Sequence, residues 1–187
     1  SGSVFRAEWI RYGDTLTGRE GTQCVLSVDL AIGRKRTSHY TAIVALRYHP
    51  REGLYQVDAA AKGKWSFAQQ VERILELYAR YAPRVVLIES NQYQRALAEH
   101  LAAQGVRVAP IMAKSKKEER IMSLAPVYEL GLITHALRFV ELESELLAYP
   151  DSEYDDLVDA LAQAVSYAQA QGKGASAPLV VARRESV

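Results

Sequence analysis

Residues 23–30 read Gln23-Cys24-Val25-Leu26-Ser27-Val28-Asp29-Leu30. The run is rich in Val and Leu and almost free of charge until Asp29, the signature of a buried β-strand. An aspartate there is out of place, because aspartate is depleted in strands and is seldom buried without a partner. Cys24 is the single cysteine of the chain. It can form no intramolecular disulfide, reads as a small core residue, and fits a reducing compartment.

Working outward, residues 40–48 read as a second strand. His49-Pro50-Arg51-Glu52-Gly53 supplies turn chemistry, and residues 54–60 return as a third strand. Short connections make these three an antiparallel meander. Ser66 and Gln69 have capping-box spacing, and apolar residues from Phe67 to Tyr81 follow at helical spacing, so 66–82 is predicted helical up to Pro83. Trp65 reads as a structural residue beside that start. Arg84-Val85-Val86-Leu87-Ile88-Glu89 is a continuous apolar run closing on an acid, the form of a buried parallel strand.

Further along, a helix over 92–103 ends at Gly105, and 106–111 is a fifth strand. Ser115 and Glu118 form a second capping-box pattern, opening a helix to about residue 130 that Pro126 should kink or divide. Residues 132–134 read as a short extended piece, and 139–148 and 155–169 as helices. Residues 4–20 lack a clear period but carry Val4, Phe5, Trp9, Ile10 and Tyr12. They read as an arm packed on the domain or a linker from an upstream part. The expected organisation is an arm over 1–20, a folded domain over 21–170 and a flexible tail over 171–187. The order β-β-β-α-β-α-β-α-α-α predicts an α/β fold, a mixed sheet of an antiparallel three-strand meander plus parallel strands, flanked by helices. That is the element order of the ribonuclease H-like fold, and fold alone gives no function.

Composition sets bounds. The chain has 187 residues, is 49% hydrophobic and carries a formal net charge of +1. At roughly 150 residues per domain it is one domain. It needs no disulfide or metal to hold a core. No apolar run approaches the ~20 residues of a membrane helix, and Ser1-Gly2-Ser3 has no charged leader segment, so neither membrane nor secretion is expected. Charge is unevenly distributed. Basic residues gather at Arg34, Lys35, Arg36, Arg47 and Arg51, and again at Arg107, Lys114, Lys116, Lys117 and Arg120. Acidic residues gather at Glu141, Glu143, Glu145, Asp151, Glu153, Asp155, Asp156 and Asp159. A polyanion binder with an acidic reaction centre divides its charge this way, and so does an ordinary solvated surface.

The acids at Asp29, Glu89 and Asp155-Asp156 stand at the ends of the first strand, the fourth strand and the start of the last helix. If the two strands are parallel neighbours, Asp29 and Glu89 meet at one end of the sheet, and the helix brings Asp155 or Asp156 to the same point. Carboxylates ~4 Å apart repel by ~4 kcal/mol at an effective dielectric near 20. Hard divalent cations with oxygen ligands, Mg²⁺ or Mn²⁺, relieve such a cluster. No His/Cys spacing suggests zinc. A pair of these ions clamps the attacking and leaving oxygens in phosphodiester displacement. Asp155 and Asp159 share a helix face opposite the stripe Leu157, Leu161, Ala164 and Ala168, and Asp156 is turned by about 100°. The order of preference as ligand is Asp155, then Asp156, then Asp159. The competing assignments are a helix cap for Asp155 or Asp156, a buried arginine partner for Asp29 and a rim position for Glu89.

The blocks Val28-Asp29-Leu30-Ala31, Tyr40-Thr41-Ala42-Ile43, Ile88-Glu89-Ser90-Asn91 and Tyr154-Asp155-Asp156-Leu157-Val158-Asp159-Ala160 together resemble the C-terminal nuclease domain of tailed-phage terminase large subunits. Lys117-Glu118-Glu119-Arg120-Ile121 through Gly131 and the lead-in from Phe5 to Tyr12 are similar too, so the likeness spans about residues 4–168. It implies an endodeoxyribonuclease, dependent on Mg²⁺ or Mn²⁺, that cuts double-stranded viral concatemer DNA during packaging. It also implies Asp29, Glu89 and Asp155 as metal ligands with Asp156 close by. An upstream ATPase domain of the same protein, the portal and the small terminase subunit are the implied partners, in the host cytoplasm at the procapsid portal vertex. The chain lacks a G-x-x-x-x-G-K loop and is expected neither to hydrolyse ATP nor to package DNA alone. Ser38-His39 stand where many relatives have an acid, and Tyr154 where many have histidine.

Lys114, Lys116, Lys117 and Arg120 are candidate phosphate contacts beside the acids, and Arg34, Lys35 and Arg36 are candidates to flank DNA. His39, His49, His100 and His135 read as surface or core fillers, and the tyrosines as packing residues. Nothing suggests base-edge readout, so cutting with little sequence preference is expected. The competing functions are a Holliday-junction resolvase or transposase-like nuclease with the same acids, a non-catalytic DNA-binding motor module, and a metabolic α/β protein.

Overall fold

The computed structural model describes residues 2–30, 40–89, 92–111 and 115–175. Arg34, Lys35, Arg36, His39 and Lys114 lie outside the described residues. Six strands form one mixed sheet: β1 (Gln23–Leu30), β2 (Thr41–His49), β3 (Leu54–Gly63), β4 (Val85–Glu89), β5 (Val108–Ile111) and β6 (Ile133–His135). Their order is β5-β4-β1-β2-β3-β6. β1–β2–β3 is the expected antiparallel meander, while β4 runs parallel to β1 and β5 parallel to β4. The short piece at 133–135 is a true edge strand, parallel to β3. The predicted mixed sheet is therefore the one observed.

The pleat sorts side chains onto two faces. Cys24, Leu26, Val28 and Leu30 of β1, with Val86 and Ile88 of β4, pack under α1 (Phe67–Tyr81) and α2 (Gln92–Ala103). Val25, Val85 and Leu87 belong to the opposite core. That core is covered by α3 (Lys117–Met122), α4 (Leu124–Glu129), α5 (Val140–Ala148) and α6 (Asp156–Ala175). Asp29 and Glu89 continue the odd-numbered set, so alternation puts both on the α6 side of the sheet.

Local signals explain most helix ends. Ser66 Oγ accepts from Gln69 N and Gln69 Oε1 accepts from Ser66 N, closing the expected capping box of α1. The second expected box does not form. Lys116 occupies the N-cap of α3 without a side-chain bond, and the helix begins two residues after Ser115. The expected division near Pro126 occurs between α3 and α4, and the proline sits in the first turn of α4, where a missing N–H costs nothing. The last helix runs on to Ala175, beyond the expected end at 169. Its acidic face is buried along with its apolar stripe. Every residue from Asp156 to Val165 is buried, because α6 lies against the sheet and is walled in by α3 and α5.

Residues ahead of β1 are fastened to the domain. Phe5 is only 2% exposed and meets Tyr128 and Tyr149 edge-on, with ring centroids 5.9 and 6.2 Å apart. Thr15 N and Leu16 N donate to Gln56 Oε1 at 2.7 and 2.9 Å. Gln56 Nε2 in turn donates to Asp58 Oδ1 at 2.7 Å, and Asp58 pairs with Arg47 at 2.9 Å. Tyr12 Oη donates to Glu143, which also accepts Phe139 N at 2.6 Å and lies 3.3 Å from Nδ1 of buried His135. Burial depresses His135 despite Glu143. Burial would raise Glu143, but hydrogen bonds from Tyr12, Phe139 and His135 outweigh it and hold its carboxyl low.

Loss of the Phe5 ring in Phe5→Ala should cost about 3 kcal/mol of unfolding free energy in urea titrations. His135 and Glu143 both bind protons less readily in the folded chain than in the unfolded one. Stability from them is full above the ordinary values of 6.5 and 4.5 and is lost as pH falls through the depressed folded values. As pH drops below 4.5, wild-type melting temperature should therefore fall more steeply than that of Glu143→Gln.

Candidate functional site

Register builds the site. Val28 of β1 pairs with Ile88 of β4, so Asp29 and Glu89 are each one residue further along adjacent parallel strands, on the face that α6 covers. Asp29 is buried, 6% exposed. Above it, α6 opens with Asp156 and carries Asp159 one turn on, both buried. Asp155 immediately precedes the helix, and its carbonyl accepts Asp159 N at 2.9 Å.

The electrostatics record this convergence. Burial, then the charges of Asp159, Asp156 and Glu89, push the Asp29 carboxyl well above the usual carboxylate range, against the opposing pull of Lys117. Asp156 is raised too, by burial and by its neighbours Asp155 and Asp159, with Lys117 and Lys62 opposing. Of the α6 acids, Asp156 and Asp159 act on Asp29, while Asp155 binds Lys117 Nζ at 2.6 Å.

Two candidate phosphate contacts thus have a different partner here. Lys117 and Arg120 turn onto acids. Arg120 donates to Asp159 Oδ1 from Nε at 3.0 Å and from Nη2 at 2.8 Å, and from Nη1 to the Ser115 carbonyl at 3.0 Å. Burial would lower Lys117, but Asp155, Asp159 and Asp29 outweigh it and hold the ammonium charged. Lys116 at the α3 N-cap is exposed.

A further pair is not visible in the sequence. β3 runs three residues past the expected end at Ala60, and this places Lys62 against Glu145 at 3.1 Å and over the rings of Tyr40 and Tyr154. The other oxygen of Glu145 accepts Leu157 N at 2.9 Å, capping the first turn of α6. Glu143 and Glu145, which the sequence groups with the other acids between Glu141 and Asp159, are both buried. The available signal was their place between apolar residues of a short helix.

The donor set suits a hard divalent cation in kind: several carboxylates, and a buried Asp29 whose charge its neighbours disfavour. Its spacing is open. Among the described residues no three or more His, Cys, Asp or Glu side chains are spaced to hold a metal ion, and Lys117 and Arg120 stand among the acids.

The chain's residues 26–168 match the family model for the terminase RNaseH-like domain. The chain belongs to this family. A direct comparison with curated proteins returns no match. Among solved structures, the terminase domain is similar to the large terminase nuclease of thermophilic phage G20c with bound magnesium, at 21% identity and a TM-score of 0.63, covering 88% of this chain and 97% of that one. It is similar to the human cytomegalovirus terminase nuclease domain, at 15% identity and a TM-score of 0.60, covering 87% and 94%. It also aligns with the large terminase of another thermophilic bacteriophage, at 14% identity and a TM-score of 0.65, covering 87% of this chain and 44% of that longer one. Among the described residues no helix is long and apolar enough to cross a membrane.

Removing one side of the buried Arg120–Asp159 pair strands the other charge, which typically costs about 3–5 kcal/mol. Arg120→Ala should destabilise the domain by roughly that much in urea unfolding. Arg120→Ala combined with Asp159→Asn should recover most of the loss.

Proposed function

We propose that this domain hydrolyses phosphodiester bonds of double-stranded viral DNA during genome packaging, as a nuclease dependent on Mg²⁺ or Mn²⁺. The observation that carries this reading is the placement of Asp29 and Glu89 at adjoining strand ends beneath the acids of α6. Relatives of the same fold named as terminase nucleases, one with bound magnesium, support it.

Asp29, Glu89 and the α6 acids Asp155, Asp156 and Asp159 are the side chains to hold the ions, two in number. Bound there, divalent ions supply a lowered water pKa and charge neutralisation at the leaving oxygen. The chain's own contribution is positional. The sheet fixes Asp29 and Glu89, and Glu145 fixes the first turn of α6. Exposed Lys116 offers its charge to backbone phosphates. Lys117 and Arg120 balance the acids. In this reading the ATPase domain of the same protein, the portal and the small terminase subunit are the partners, and the portal vertex in the host cytoplasm is the place of action.

Supercoiled plasmid incubated with Mn²⁺ or Mg²⁺ should be nicked and linearised, and EDTA should stop the reaction. Asp29→Asn and Glu89→Gln should each lower the rate by more than the roughly 10–100-fold that outer-shell changes cost. Intact plasmid under these conditions argues for a non-catalytic module. Cutting confined to four-way junctions argues for a resolvase.

A further inference from the structure

The register sets four residues in one row across the sheet. Asp29 pairs with Ala42 and Ala42 with Lys62, while Glu89, one residue past Ile88, stands beside Asp29 on β4. Directly opposed residues share a face of the sheet. Lys62 therefore lies on the α6 side, about 10 Å from Asp29 across two strands. Between them in the row is only the methyl group of Ala42. The Lys62 side chain is 10% exposed, and a lysine is seldom this buried unless it is paired.

Its ammonium has three partners. It lies 3.1 Å from Glu145 Oε2, 4.9 Å from the centre of the Tyr40 ring and 4.7 Å from that of Tyr154. The two rings meet edge-on, 5.0 Å apart, and a cation at such distances is attracted to both. Two of the three contacts bracket the α6 acids. Tyr154 immediately precedes Asp155. Glu145, through its other oxygen, accepts Leu157 N at 2.9 Å, and Leu157 immediately follows Asp156. The Asp155–Asp156 pair is thus tied on both sides to one nitrogen atom of β3. Lys62 is also near enough to Asp156 to oppose the rise of its carboxyl.

We propose that Lys62 is a positioning residue of the nuclease site, clamping the chain at Tyr154 and Leu157 so that Asp155 and Asp156 are held toward Asp29. The proposal rests on the nuclease reading for what these acids bind. Charge is what makes the clamp work. Without the ammonium, Glu145 is a buried carboxylate with no cation beside it, so it takes a proton or turns toward solvent. Either change weakens its hold on Leu157 N. A neutral pair avoids the problem. When Lys62→Met is combined with Glu145→Gln, an amide oxygen still accepts Leu157 N, and a thioether packs on the two rings.

The test measures Mn²⁺ affinity by calorimetry and, in EDTA, exchange of the Leu157 amide hydrogen by NMR. Lys62→Met should bind Mn²⁺ about tenfold more weakly, as changes outside the ligand shell commonly do, and its Leu157 N–H should exchange faster. The double variant should return both towards wild type. The sign of the change separates the possible roles. A lysine that only competed with the metal for the acids would, once removed, tighten binding. One that only stabilised the fold would lower the melting temperature and leave affinity and Leu157 exchange unchanged. Either result overturns the proposal, as does a double variant no better than the single one. Tyr154→Leu keeps the Lys62–Glu145 pair and loses the ring. It should weaken Mn²⁺ binding while Leu157 exchange stays as in wild type. Unchanged affinity in Tyr154→Leu overturns the proposal, and this arm decides it if Lys62→Met does not fold. If wild type binds no Mn²⁺, the nuclease reading fails, and Leu157 exchange alone decides whether Lys62 holds the turn.

Discussion

Gathering like charges in one poorly hydrated place is the constraint around which this domain is organised. Two carboxylates a few ångströms apart repel by several kcal/mol, and burial adds to the cost of keeping either ionised. Here Asp29 is overlooked by Asp156, Asp159 and Glu89. The surrounding structure answers with fixed cations: Lys117 and Arg120 from α3, and Lys62 from β3. Each is held by a specific partner, so the positive charge is as ordered as the negative charge it opposes. Buried ionic groups of this kind add little to stability over a well-packed apolar core.

The scaffold makes that placement reproducible. Asp29 and Glu89 stand on strands hydrogen-bonded to each other, and strand alternation alone determines which face they occupy. The helix opposite is buried along its first ten residues, so its acids cannot swing to solvent without disturbing both the sheet and α5. Loops carry none of these described carboxylates except Asp155, which precedes the helix by one residue.

Most of this was legible in the sequence, because it depends on patterns of period two and on acids that violate them. Val28-Asp29-Leu30 and Ile88-Glu89 announced strand ends, and their apolar neighbours announced a sheet covered on both faces. The last helix is less legible. Its small residues Ala160, Ala162 and Ala164 allow close packing on every side, and this erased the amphipathic contrast that a periodicity argument needs. The pairing of Lys62 with Glu145 is hidden for a different reason. They lie far apart in sequence, on β3 and α5, and meet only in the folded chain. The basic residues of α3 read in the sequence as phosphate contacts beside the acids. In the fold two of them turn inward, because an unbalanced acidic cluster attracts the nearest cations on the neighbouring helix.

Glu145 has a consequence of its own. One of its oxygens grips a lysine near the end of the meander's last strand, and the other holds the first turn of the helix bearing the acids. The carboxylate is thereby a rivet joining three segments, and a flexing of that strand would be felt as a shift of the helix's opening turn. The alignment of the carboxylates is in this sense governed from a distance, by whatever bends the rim of the sheet.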